Sequence, residues 1–128
     1  MKEPKWMGKV GKKSPPLEKT RTDSVLKMLN AHPQVLARKR HQSVMSTAGD
    51  PDITGCVRLT VTMTNSHGQT HQVAFGQHFE IEMKQPGKKP TPLQVEKMAE
   101  WEEYGAWVMW ATDKEEVREF FKQKGIVL

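Results

Sequence analysis

The sequence of 128 residues predicts a single α/β (α+β) domain in which helices flank a mixed β-sheet. Residues 79–84 alternate apolar and charged side chains, which is typical of a half-buried strand. Residues 78–111 form a strand–helix–strand unit, and such units usually pair their strands in parallel. The complete predicted order is α-β-β-β-α-β-α, and a chain of this length can bury a modest core as one domain.

The chain is predicted to begin with a flexible basic arm, residues 1–15, ahead of a folded domain of residues 16–128. The arm holds five lysines and one glutamate, so it carries most of the formal net charge of +5. Lysine-rich tails add salt-sensitive affinity for phosphates. A tail that only keeps the protein in solution explains the same composition equally well.

Pro15-Pro16 marks the start of the first predicted helix, because proline is favoured in the first helical turn. An apolar stripe then continues to Asn30. Residues 35–44 follow as an extended segment that contains Arg38, Lys39 and Arg40. We predict that these three side chains contact phosphates, which would position a nucleic acid without reading its sequence.

The middle of the chain is predicted to be mostly strand. Residues 57–63 and 71–75 are alternating, strand-like runs, as residues 79–84 are. They should form a hairpin around a turn at residues 65–68. A separate strand over residues 78–84 follows. Its alternation places two sets of side chains on opposite faces: Phe79, Ile81 and Met83 in the core, and Glu80, Glu82 and Lys84 on the other side.

The second predicted helix begins at Thr91-Pro92-Leu93-Gln94. This segment combines a capping threonine, a proline at the first helical position and a glutamine three residues after the cap. Residues 106–111 form an apolar run of strand length, which we predict to be buried on both faces. A last helix follows after Thr112, with Val117 and Phe121 facing inward.

Three residues can build a site for cutting a phosphodiester. Asp52 lies at the start of a strand, and Glu82 and Lys84 share one face of another. Two carboxylates suit a hard dication, with the Met83 carbonyl as a third oxygen ligand. Lys84 would orient or deprotonate the attacking water, or balance charge on the phosphate. Ordinary surface charges are the alternative, because Glu-x-Lys is a common tripeptide.

The segments around these residues resemble the VRR-NUC (virus-type replication-repair nuclease) family of the PD-(D/E)xK nuclease superfamily. The similar segments are Gly49–Cys56, Glu82–Lys88 and Thr91–Gln94. They match the family's Gly-x-Pro-Asp turn, its Glu-x-Lys strand with a Gly/Lys loop, and its Ser/Thr-Pro-x-Gln helix start. The resemblance covers about residues 17–122. The interval from Asp52 to Glu82 is longer than in many relatives, which we attribute to the hairpin of residues 57–75.

The resemblance implies a restriction-endonuclease-like sheet and a role for each site residue. Asp52 and Glu82 would ligate Mg²⁺ or Mn²⁺, Lys84 would be the catalytic lysine, and Glu18 would be an outer ligand or hold a water. Gln94 would orient Lys84 or the attacking water, although its helix-capping role alone also explains it. Stand-alone members of this family look like homodimers that cut branched DNA, including Holliday junctions. The resemblance therefore implies a homodimer with branched DNA as its partner.

Two functional hypotheses follow for the chain. The first is a Mg²⁺-dependent endonuclease that acts on branched DNA in replication or repair. The second is a nucleic-acid-binding module that keeps the fold without catalysis. Lys88 and Lys89, in the loop after the Glu-x-Lys strand, would grip a phosphate near the site, with a solvated loop as the alternative interpretation.

Location is predicted from what the sequence contains. A single cysteine, Cys56, excludes an internal disulfide and fits a reducing compartment. Apolar stretches fall well short of the ~20 residues of a membrane span. We therefore expect a cytoplasmic protein. The family resemblance suits a phage or prophage, and a phage-encoded protein would act in the host cytoplasm.

Overall fold

The structure of the protein is a computed structural model that describes residues 14–41 and 47–128, with side chains described from residue 19 onward. It confirms the predicted class and order of elements. These are α1 (Ser14–Ala31), β1 (Val35–Lys39), β2 (Ile53–Thr64), β3 (Thr70–Met83), α2 (Pro92–Glu103), β4 (Trp107–Ala111) and α3 (Lys114–Gln123). Most of the predicted basic arm lies outside the described residues.

The four strands form one mixed sheet in the order β1-β2-β3-β4. The first two pairings are antiparallel, and β3 pairs with β4 in parallel, with Phe79 opposite Trp107 and Met83 opposite Ala111. The parallel pairing predicted for the strand–helix–strand unit is therefore confirmed. It brings α2 across the sheet between two neighbouring strands.

One face of the sheet carries the hydrophobic core, where α1 and α3 pack. Val25 and Leu29 of α1 and Phe121 of α3 are fully buried against Phe79 and the strand residues beside it. The rings of Phe79 and Phe121 meet edge to face with centroids 5.1 Å apart, an arrangement that aromatic pairs favour. The predicted inward side chains of β3 all belong to this core.

The opposite face of the sheet is covered by α2 where β3 ends. Glu80 and Glu82 point to this face, as predicted, and both are almost completely buried. The alternation of β3 had indicated a strand buried on one side only. Contacts from α2 explain the difference, because Trp101 stacks on His78 and Gln94 reaches Glu82.

Two strands differ from the prediction. Residues 71–75 and 78–84 were predicted as separate strands, but β3 is continuous over 14 residues. The predicted burial of residues 106–111 on both faces was wrong, since Trp110 is 41 % exposed. β4 lies at the edge of the sheet, and an apolar run by itself does not distinguish an edge strand from a central one. Within the described residues, none of the helices has the length and apolar character needed to cross a bilayer.

Candidate active site

The candidate site lies where β2 begins and β3 ends. The strands pair Ile53 with Ile81, so the next pair outward sets Asp52 opposite Glu82. Side chains in such positions have Cβ atoms about 4.5–5.5 Å apart. The carboxylate of Asp52 also accepts a hydrogen bond from the backbone N–H of Met83 at 2.9 Å. Two acids that are distant in the sequence are thus neighbours, as predicted.

Glu82 has one satisfied and one unsatisfied carboxylate oxygen. Its Oε2 accepts a hydrogen bond from Nε2 of Gln94 at 3.1 Å and lies 3.4 Å from Nζ of Lys84. Its Oε1 is buried and has no hydrogen-bond partner. A buried acceptor without a partner is rare in folded proteins and is costly. The predicted acids and lysine therefore meet around a carboxylate that has one oxygen without a hydrogen-bond partner.

The environment of Glu82 favours its protonated form. Burial, followed by the negative charge of Asp52, raises its pKa from 4.5 to about 7, and the ammonium of Lys84 offsets this only in part. Raised carboxyl pKa values are common where two acids share a functional site.

These groups open into a cavity of about 320 Å³. It is lined by Lys19, Thr22, Lys39, Asp52, Glu82, Lys84 and Gln94. Lys19 and Thr22, from α1, were not predicted as site residues. A helical spacing of three places them on the same side of α1, so the periodicity of the helix was the signal that could have identified them. Glu18, the predicted outer ligand, lies outside the residues whose side chains are described.

Gln94 performs two roles with the two ends of one amide. Its Oε1 accepts a hydrogen bond from the backbone N–H of Thr91, and its own backbone N–H donates to the Thr91 hydroxyl, which forms a complete capping box. Its Nε2 donates to Glu82. The sequence left capping and site roles open as alternatives. The structure shows the capping role, and the contact of Gln94 within the site is with the Glu82 carboxylate rather than with Lys84.

The donors in the cavity fit a hard divalent cation. Asp52 and Glu82 supply carboxylate oxygens, the ligand type that Mg²⁺ and Mn²⁺ prefer. The buried Glu82 oxygen without a partner and its raised pKa are both features that a cation would relieve. Among the described side chains, the cavity has these two carboxylates and no third. The Met83 carbonyl and Glu18 remain predicted ligands.

Most of the predicted phosphate-binding residues surround this cavity. Lys39 lines the cavity itself. Lys88 and Lys89 line a neighbouring depression of about 330 Å³, and Lys84 lines both. Arg38 is exposed on β1. The predicted lysines thus give the rim of the site a positive charge, whereas Arg38 lines a separate depression beside Thr54 and His78.

Arg40 lies in a different environment from the one predicted. Its guanidinium pairs with both oxygens of the buried Glu80, at 2.5 and 3.1 Å, rather than facing solvent. It also donates to the Pro51 carbonyl at 2.7 Å, and its backbone N–H donates to the Asp52 carbonyl at 2.6 Å. The prediction of a phosphate contact is therefore corrected: Arg40 holds the turn that carries Asp52. Its partner Glu80 is forty residues away in the sequence, so no local pattern indicated the pair.

Trp101 supports the same turn from α2. Its indole N–H donates to the Asp50 carboxylate at 3.1 Å, and its ring stacks on His78 with centroids 4.9 Å apart. The guanidinium carbon of Arg40 lies 5.5 Å from the centre of the ring, within cation–π range. Residues 50, 51 and 52 are therefore each held by a side chain or amide from another element.

Comparisons of the chain with protein-family models, with curated proteins and with solved structures found no match. The interpretation of the site therefore depends on its geometry and on the residues that carry the VRR-NUC resemblance.

The raised pKa of Glu82 predicts a pH dependence of stability. In the unfolded chain this carboxyl loses its proton near pH 4.5, and in the folded protein near pH 7. Between these values the folded state binds more protons, so the free energy of unfolding should fall as the pH rises, by at most about 3 kcal/mol. In urea unfolding without divalent ions, Glu82→Gln should remove this fall, and the exposed control Glu100→Gln should keep it. An identical pH dependence in wild type and Glu82→Gln would contradict the prediction.

The position of Arg40 predicts a role in metal affinity. Arg40→Lys keeps the charge but loses the paired contacts with Glu80 and Pro51. We expect the Mg²⁺ concentration that gives half-maximal thermal stabilisation to rise about tenfold, as is usual when a group supporting a ligand is changed. Arg118→Lys is the matched control, because Arg118 also contacts a carboxylate and a backbone carbonyl, but on α3. Equal Mg²⁺ dependence in both variants would contradict the assignment.

Proposed function

We propose that this protein is a Mg²⁺-dependent, structure-specific DNA endonuclease that hydrolyses phosphodiester bonds in branched DNA. The observation that carries the proposal is the meeting of Asp52, Glu82 and Lys84 at one cavity, with a buried Glu82 oxygen that has no hydrogen-bond partner. An acid pair can hold a metal ion that assists hydrolysis of a phosphodiester, and the VRR-NUC resemblance implies the adjacent lysine as the catalytic lysine.

A bound Mg²⁺ would stabilise negative charge on the phosphate and lower the pKa of a water. The side chains of the protein would hold the ion in place and transfer the proton. Asp52 and Glu82 would hold the ion, with the Met83 N–H fixing Asp52 and Gln94 fixing Glu82. The Lys84 side chain is only 16 % exposed and lines the same cavity. It would donate to a phosphate oxygen or, once deprotonated, accept a proton from the attacking water.

The charge around the cavity supports a nucleic-acid substrate. Lys19, Lys39 and Lys84 line it, and Lys88 and Lys89 extend the positive surface into the neighbouring depression. Contacts of this kind reach phosphates and do not read base sequence, which suits recognition by shape. The resemblance to VRR-NUC nucleases favours branched DNA among such substrates.

We further propose that the protein acts as a homodimer in the cytoplasm. One chain has one cavity of this kind among its described residues, and symmetric cleavage of a four-way junction needs two cuts. The single cysteine and the DNA substrate fit an intracellular compartment.

The test is cleavage of a labelled four-way junction with Mg²⁺. Wild type should cut, and Asp52→Ala or Lys84→Ala should reduce the rate by at least about a hundredfold, the scale of losing a group that stabilises charge in the transition state. Both variants should still bind the junction in EDTA. The matched controls are Glu102→Ala and Lys122→Ala, which remove exposed charges of the same sign outside the cavity and should cut normally.

Cleavage that survives in Asp52→Ala or Lys84→Ala would reject the assigned site. Binding of the junction by wild type without cleavage over a panel of divalent ions would favour the alternative, a nucleic-acid-binding module without catalysis.

A further inference from the structure

The β2–β3 hairpin extends well beyond the four-stranded sheet. β1 pairs with β2 only as far as Val57, and β4 pairs with β3 only from Phe79 onward. The pairs from Arg58–Gly76 to Thr64–Thr70 therefore have no neighbouring strand on either side. We call residues 58–76 the hairpin extension. All of its residues except Leu59 are exposed.

The two faces of the hairpin extension differ in chemistry. One face is mostly polar and carries Arg58, Thr60, Thr62, Thr64, Thr70 and Gln72 with Ala74 and Gly76, whereas the other is mostly apolar and carries Leu59, Val61, Met63, Val73 and Phe75 with His71. Because side chains alternate along a strand, the polar face continues the side of β2 on which Asp52 lies. Gln72 and Thr62 are already linked across the strands at 3.2 Å. The polar face and the candidate site thus belong to one side of the sheet.

This side of the hairpin has no negative charge. The segment from Ile53 to Phe79 contains no aspartate or glutamate, although the chain has 15 acidic residues. Glu80, the next acid on the same side, is fully buried and paired with Arg40. The exposed charges of β1 and β2 are all positive. On the strands themselves a phosphate backbone would meet no exposed carboxylate beyond Asp52; the exposed carboxylates on this side of the sheet belong to α2, which carries Glu96, Glu100, Glu102 and Glu103.

The length of the hairpin matches a repeat of duplex DNA. Twelve residues separate Asp52 from Thr64, the last paired residue of β2, which corresponds to about 40 Å of strand and somewhat less with twist. One turn of B-DNA is about 34–36 Å long. Contacts at the end of the hairpin extension would therefore fall about one helical turn from a phosphate held at Asp52.

We propose that the polar face of the hairpin extension binds the backbone of a duplex arm of the substrate, about one helical turn from the bond that is cut. This inference rests on the proposed function. Threonine hydroxyls, the Gln72 amide and the Arg58 guanidinium are groups that contact phosphates. A two-stranded ribbon also has dimensions that fit beside or into the major groove. The apolar face would then contact a protein surface, such as that of a second copy of the chain.

Junction binding in EDTA, where no cleavage occurs, tests the proposal. Arg58→Ala should reduce the slope of log K against log salt by about 1, the value for losing one phosphate contact. Thr62→Glu should weaken binding about tenfold, because a carboxylate on this face repels phosphate. Val127→Glu is the matched control: it adds the same charge at an exposed position in the C-terminal segment after α3 and should change binding less than twofold.

Arm length gives a second measurement. A junction whose arms are shorter than one helical turn, about 10 base pairs, cannot reach the end of the hairpin extension. Wild type and Thr62→Glu should therefore bind such a junction equally, and differ only on junctions with longer arms.

The outcomes separate the two proposals. If wild type binds and cuts the junction but Arg58→Ala and Thr62→Glu bind like wild type, the role of the hairpin extension is wrong and the proposed function stands. If Val61→Thr, on the apolar face, weakens junction binding while Thr62→Glu does not, a protein contact on that face replaces the DNA contact. If wild type binds no junction of any arm length, the proposed function itself fails.

Discussion

The antiparallel register between β2 and β3 is the constraint on which the candidate site depends. It sets Asp52 opposite Glu82 and lets the Met83 N–H hold the Asp52 carboxylate. A shift of one residue would turn every side chain of the strand to the other face and separate the two acids. The core fixes this register, because Ile53, Ile81 and Phe79 must all face α1 and α3. Packing on one side of the sheet thereby positions the chemistry on the other.

Glu80 and Glu82 show how the same residue type serves two purposes two positions apart. Both are buried on the same face of β3. Glu80 has hydrogen-bond partners for both oxygens, including Arg40 and the hydroxyl of Thr54 at 2.7 Å. Glu82 keeps one buried oxygen without a partner and has a raised pKa. A satisfied buried pair fixes local geometry, whereas an unsatisfied carboxylate beside a second acid is a place for a ligand.

The turn that carries Asp52 is held from several directions. Arg40 bonds Pro51 and Asp52, and Trp101 bonds Asp50. The proposed role of Asp52 as a metal ligand would need such support, because small displacements of a ligand weaken binding and slow reaction. The buried ion pair of Arg40 with Glu80 is weak as a general source of stability. Because Arg40 also bonds the turn that carries Asp52, the ion pair has the more specific role of holding that turn in place.

Much of this arrangement was predictable from short-range patterns. Alternation in β3 identified both the core residues and the acids, and the Thr91–Gln94 signature located the start of α2. Contacts between distant segments were not predictable in the same way. The Arg40–Glu80 pair, the stacking of His78 on Trp101 and the approach of Lys19 depend on how the elements pack, which a local pattern does not encode. The edge position of β4 was missed for the same reason, since an apolar run does not specify its neighbours.

The central claim is that folding brings Asp52 and Glu82 together to hold one divalent cation. Anomalous diffraction at the manganese absorption edge, from crystals grown with Mn²⁺, measures this most directly. We predict one strong anomalous peak in the cavity, bonded to carboxylate oxygens of both residues, and its loss in Asp52→Asn crystals grown in the same way. An empty cavity in wild-type crystals that contain Mn²⁺, or a peak that persists unchanged in Asp52→Asn, would contradict the account.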